Sequence, residues 1–69
     1  MDYYERKKQA MNLIKELCLT NKLKRDDIEF YILEKYGYST KFVNTIIDKL
    51  IDRGFLIEKE GVISDVKKA

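Results

Sequence analysis

Thr40, Lys41, Asn44 and Thr45 fall within two turns of a helix start, and all four carry hydrogen-bonding side chains without an acid among them. That set suits the edges of base pairs. Asn pairs with adenine through both ends of its amide, Thr bonds or touches a thymine methyl, and Lys reaches guanine or a phosphate. Lys49 extends the row along the same helix. Lys22, Lys24 and Arg25 form a second basic group just before another helix, where phosphate contacts are common. Lys59 is a lone cation in a tight loop. A polar helix face also serves plain solvation, and residue types alone leave both readings open.

Other chemistry is poorly served. The chain has no His and one Cys. Disulfides, cysteine–histidine metal sites and histidine-dependent nucleophiles are therefore excluded. Cys18 sits in an amphipathic run, where a single Cys usually acts as a small buried hydrophobe. Gly37, Gly54 and Gly61 are too scattered for a phosphate loop. No loop gathers acids around a glycine as a calcium site does. The expectation is a protein that is not an enzyme and uses no cofactor, metal or small-molecule ligand.

These residues need elements to position them. Ala10, Ile14 and Leu17 repeat at helical spacing, with Tyr3, Leu13 and Cys18 beside them, and Asp2 and Glu5 have capping-box spacing. This predicts a first helix over 3–20. Leu23 adds a possible short strand and a staple onto Ile28. A second helix over 25–36 starts with Asp26 and Asp27 on its dipole and places Ile28, Ile32 and Tyr36 on one face. Gly37 ends it, and Tyr38 bridges to Ser39, the N-cap of the next helix.

That third helix, over 39–53, turns Val43, Ile46, Ile47 and Leu50 into one inward arc. Lys41, Asn44, Thr45, Asp48 and Asp52 lie opposite, with Phe42 and Ile51 at the borders. After Gly54 two apolar β-branched runs flank Lys59-Glu60-Gly61, a hairpin over 55–66. Residues 1–69 thus read as a single α+β domain, mostly α, of three helices and a short hairpin.

Ser39, Val43, Ile46-Ile47, Leu50 and Arg53-Gly54-Phe55-Leu56, with Asp48-Lys49 before the Leu, resemble the winged helix-turn-helix superfamily, most closely its MarR-like DNA-binding domain. The resemblance covers residues 23–66, and helix 1 by topology. It implies a recognition helix over 39–53 and a wing over 55–66, with Thr40, Lys41, Asn44, Thr45 and Lys49 toward a DNA groove. Small archaeal, plasmid or viral regulators of this kind are the implied relatives. The sequence departs from the family in its short wing, where Glu58-Lys59-Glu60 is net acidic and leaves wing contact to Lys59. It also lacks the extra helices through which MarR-like proteins dimerise.

The implied function is sequence-specific binding of double-stranded DNA in transcriptional regulation. The alternatives are a winged helix that docks proteins and a replication or partition accessory. A net charge of +2 means that any nucleic-acid argument must rest on charge distribution rather than the total. No run is apolar enough to span a membrane and no apolar leader opens the chain, so a cytoplasmic location is expected. Tyr4, Met11 and Cys18 recur every seven residues on helix 1, and Phe30 with Leu33 lies opposite Ile28. Both sets suggest a homodimer seam, which would let two copies read a pseudo-palindrome.

Overall fold

A computed structural model describes residues 2–68. Its elements are α1 (Tyr3–Thr20), β1 (Leu23–Lys24), α2 (Arg25–Tyr36), α3 (Thr40–Asp52), β2 (Leu56–Lys59) and β3 (Val62–Asp65), closed by a 3-10 turn at Val66–Lys68. The three strands form one antiparallel sheet in the order β1-β3-β2. Among the described residues no helix is long and apolar enough to cross a membrane.

Local chemistry sets the boundaries. The Asp2 carboxylate accepts from the Glu5 N–H at 2.8 Å and caps α1. At the other end the Asn21 amide donates back to the Leu17 carbonyl at 3.1 Å. Gly37 takes φ 71°, a left-handed conformation, and its N–H donates to the Leu33 carbonyl to finish α2. Ser39 Oγ accepts from the Phe42 N–H and starts α3. At its C-terminus Gly54 donates to Ile51 and Phe55 donates to Leu50, the paired bonds of a Schellman motif. In the hairpin Lys59 pairs with Val62, so only Glu60 and Gly61 form the turn. Both have positive φ, as a type I′ turn requires.

Val43, Ile46, Ile47 and Leu50 of α3 are fully buried, as their common arc predicts. They join Ala10, Ile14 and Cys18 of α1, Ile28 and Ile32 of α2, Leu56 of β2 and Ile63 of β3. Phe42, Ile51, Leu17 and Leu23 line its borders, half-buried. Tyr38, read from sequence as a mere bridge, is also a core residue. Its ring meets Phe42 edge-on at 5.2 Å and stacks near Tyr36, while its hydroxyl donates to Gln9. Tyr3 and Tyr36, expected beside the core, are exposed instead.

The seven-residue stripe of α1 is broken. Cys18 is 1% exposed and belongs to the core, so it cannot form a surface seam with Tyr4, which is 74% exposed. A repeat of seven drifts by about 20° per repeat on a straight helix, which carries the stripe from the outer border inward. Met11 lies between them, half-buried against the core. On α2, Phe30 and Leu33 are exposed at 67% and 51%, on the face the sequence assigns them.

Truncating Ile46 or Leu50 to Ala should destabilise the fold by about 2–5 kcal/mol, since each would leave a cavity at its centre. Chemical denaturation measures this, and a loss below that range in both would contradict the burial. Burial, followed by the nearby charge of Asp65, raises the Cys18 thiol to about 11. The native state therefore holds that proton where the unfolded chain releases it, and stability should fall as pH rises from about 9 towards 11. Cys18→Ala should flatten that part of the pH profile, and thiol reagents should label Cys18 only on unfolding.

Candidate functional site

The sequence-derived basic and polar residues separate into four groups, and the packing of α3 explains three of them. At 100° per residue, Lys41 and Thr45 point directly away from the buried arc, Asn44 and Asp48 turn towards α2 and the hairpin, and Lys49 and Arg53 turn towards α1.

Lys41 and Thr45 are exposed, as is Thr40 at the helix start. Thr45 Oγ1 donates back to the Lys41 carbonyl at 2.9 Å, which fixes its rotamer and leaves its lone pairs and methyl outward. Lys41 forms no ion pair among the described residues. These three side chains remain available to a ligand.

Asn44 corrects the sequence expectation of a free outward amide. Its Oδ1 accepts from Arg25 Nη1 at 2.9 Å, and its Nδ2 donates to the Thr40 carbonyl at 3.1 Å and to Glu29. Arg25 is equally committed. Its Nε donates to Glu58 Oε2 at 2.8 Å, while Nη2 donates to Glu58 Oε1 at 2.9 Å and to Asp48 Oδ1 at 2.7 Å. The guanidinium thus ties the start of α2 to α3 and β2, rather than standing free for a phosphate.

Glu58 is the partner that sequence reasoning missed. It was read only as an acidic element of the hairpin. Strand alternation could have found it, because Glu58 is two residues from the buried Leu56 and paired with Ile63, hence on the inner sheet face. Its hydrogen bonds to Arg25 hold its carboxyl below the usual range, and the same contacts raise the already high proton affinity of Arg25.

Lys24 and Lys59 stand on either side of Val62 in one cross-strand row. Alternation puts that row on the outer sheet face, opposite Leu56 and Ile63. Lys22 joins Lys59 around a shallow depression there with Ile57, Val62 and Ser64. The helices pack on the inner face, β3 on α1 and β2 on α3. These lysines are consequently not contiguous with Lys41 and Thr45.

Lys49 belongs to a group that reading along the helix could not see. It is in contact with Lys7 of α1, with Arg53 nearby. The hydrogen-bond contact with Lys7, then that ammonium's like charge, lower the proton affinity of Lys49. The other α1 cations have different uses. Arg6 lies over the Tyr38 ring at 5.2 Å, and Lys15 lies over the Phe55 ring at 4.0 Å.

No protein-family profile, no curated protein and no solved structure matches this chain.

Replacing Arg25 with Ala should cost about 1–2 kcal/mol, a charge-assisted network discounted for partial exposure. Glu58→Gln should cost less, because Asp48 and Asn44 still engage the guanidinium. Since the folded Glu58 carboxyl is depressed, its contribution is present above the ordinary carboxylate value and is lost as pH falls through the folded one. Acid unfolding profiles of parent and Glu58→Gln should therefore converge once pH falls below the depressed titration of the folded Glu58 carboxyl.

Proposed function

We propose that this chain is a winged helix-turn-helix domain that binds double-stranded DNA in a sequence-specific way and serves transcriptional regulation without a cofactor. The reading rests on one observation above all. The side of α3 farthest from the core, at its N-terminal half, presents Lys41 and Thr45, with Thr40 exposed at the helix start and no acid among the three. A helix of that kind fits a major groove, which admits one α-helix with its first turns against the base edges. The order α1-β1-α2-α3-β2-β3, with β1 and β2 flanking β3, supports the assignment of α2 and α3 to the helix-turn-helix and of β2 and β3 to the wing.

In this reading Lys41 and Thr45 contact bases. Arg25 and Asn44 act indirectly, holding α3 against α2 and the hairpin so that its outward side has one orientation. Asp48 pairs with Arg25 in the same network, which holds its carboxylate on the flank towards α2 and the hairpin. Lys22 and Lys24 precede α2 but share the outer sheet face with Lys59, so they meet a phosphate strand only where the duplex bends past the sheet edge. Lys59 contributes only if DNA bends around the hairpin, because its face is turned from α3.

A second copy is part of this proposal, and of the two candidate seams we favour Phe30 and Leu33 on α2 over the stripe on α1. On α1, Tyr4 and Met11 share a groove with Lys7, Lys8 and Arg53, so two such faces repel. Phe30 and Leu33 are exposed on α2 and also support the rival reading, in which the domain docks another protein. Sedimentation equilibrium separates them. A dimer lost on Phe30→Ser supports self-association, whereas a stable 8.2 kDa monomer gives weight to the docking reading.

Binding itself is tested by titrating fluorescent genomic and random duplexes across a range of salt. Lys41→Ala and Thr45→Ala should erode preference for one site, by about 1–3 kcal/mol for a lost base contact. Lys22→Gln with Lys24→Gln should weaken all duplexes alike and reduce the salt slope. Absence of affinity for any duplex at low salt contradicts the proposal.

A further inference from the structure

Lys7 lies one turn before Ala10 and Met11, on the side of α1 that turns towards α3. Lys49 and Arg53 stand one turn apart on the flank of α3 that turns towards α1. The two helices bring these three cations together although more than forty positions separate Lys7 from Lys49. The stems of Lys7 and Lys49 are partly covered, while the Lys49 ammonium is open to solvent and to a ligand. Tyr4, Lys7, Lys8, Met11 and Arg53 line a shallow groove of about 190 Å³ beside them. Among the described residues none of Lys7, Lys8, Lys49 and Arg53 forms an ion pair, and none stands over an aromatic ring.

Two ammonium groups side by side repel unless one gives up its proton or an anion joins them. The first is expressed only as a lowered proton affinity of Lys49 beside Lys7. An anion offers the second. A tetrahedral phosphate presents several acceptor oxygens at once, which suits two ammoniums and a guanidinium converging from different directions.

The position of the cluster indicates which phosphate. Residues 41, 45, 49 and 53 are spaced by four, and a row spaced by four leans steadily round an α-helix. It starts at the exposed side chains of Lys41 and Thr45 and ends at Lys49 and Arg53 against α1. A strand that borders the groove occupied by the N-terminal half of α3 would run into this cluster.

We propose that Lys7, Lys49 and Arg53 form a phosphate site that grips the sugar-phosphate backbone of one DNA strand beside α3, with Lys8 and Tyr4 at its edge. The inference rests on the DNA-binding reading above and adds to it a residue group on α1 that motif resemblance does not mark. Each of the three cations displaces condensed counterions from the duplex, so the site contributes affinity on every sequence and preference for none. A phosphate between them offsets the like charges of Lys7, Lys49 and Arg53.

The test uses the whole chain, in which Lys7→Gln, Arg53→Gln and the double variant are compared with the parent. Stability comes first. Removing one member of a repelling group should leave the melting temperature unchanged or raise it, and a large fall would show that the cluster is structural and overturn the inference. Duplex titrations follow. The double variant should lose about two units of the salt slope and about tenfold or more in affinity at moderate salt, equally for preferred and random duplexes. Backbone and side-chain NMR shifts of Lys7, Lys49 and Arg53 are then followed with a duplex and, separately, with inorganic phosphate.

Shifts on duplex addition together with the reduced slope support the site. Shifts with inorganic phosphate alone, on a protein whose duplex affinity the double variant leaves unchanged, would make it a small-anion site and overturn the nucleic-acid assignment. If the parent binds duplexes and neither slope nor shifts change, the inference fails and the DNA reading stands. If the parent binds no duplex, both fail together.

Discussion

Four aliphatic side chains on α3, Val43, Ile46, Ile47 and Leu50, have no exposed surface, and their burial fixes the rotation of that helix about its axis. Much else follows from that one constraint. In a chain this short the core has room for a single central helix, against which α1, α2 and β2 each pack. A turn of α3 by one residue would expose aliphatic surface at about 25 cal/mol for each Å². The side chains on its remaining arcs are therefore held to definite directions without contacts of their own. Lys41 and Thr45 face water because the four aliphatics face inward.

The same rotation sorts charge. On the flank towards α2 and the hairpin, Asn44 and Asp48 meet Arg25, Glu29 and Glu58, and opposite charges satisfy one another. On the flank towards α1, Lys49 and Arg53 meet Lys7, and like charges gather. One border of α3 thus ties a single cation among three carboxylates, while the other is cationic and open. A net charge of +2 conceals this completely. Charges already paired inside the fold offer little to a partner, whereas unpaired ones dominate the field around them.

Periodic signals were the legible part of the sequence. The arc of α3, the caps at Asp2 and Ser39, and the stops at Gly37 and Gly54 all depend on neighbours within a few residues, and each is found where its spacing predicts. Rotation about α3 was less legible at its edges. Asn44 was grouped with Lys41 because both lie off the apolar arc, but a side chain at the border is claimed by the neighbouring element when that element offers a partner. Contacts between distant segments were not legible at all. Nothing near Arg25 in sequence announces Glu58, 33 positions away, and nothing near Lys49 announces Lys7. Strand alternation gave a usable hint for Glu58, but the meeting of Lys7 and Lys49 needed the packing of α1 on α3.

The broken stripe of α1 shows how one helix can serve two purposes along a single border. Near its C-terminal end the border reaches the sheet, and Cys18 is enclosed. Near its N-terminal end the sheet has ended, so Tyr4 and Lys7 have only the flank of α3 before them. A repeat read as one apolar seam is therefore a core residue at one end and the rim of a cationic groove at the other, with Met11 as the transition. Self-association through that rim would bring Lys7, Lys8 and Arg53 of two copies together, and their repulsion opposes it. The like charges that oppose a second copy there would favour a negatively charged ligand, because an anion gains from each cation that a second copy would meet as a like charge.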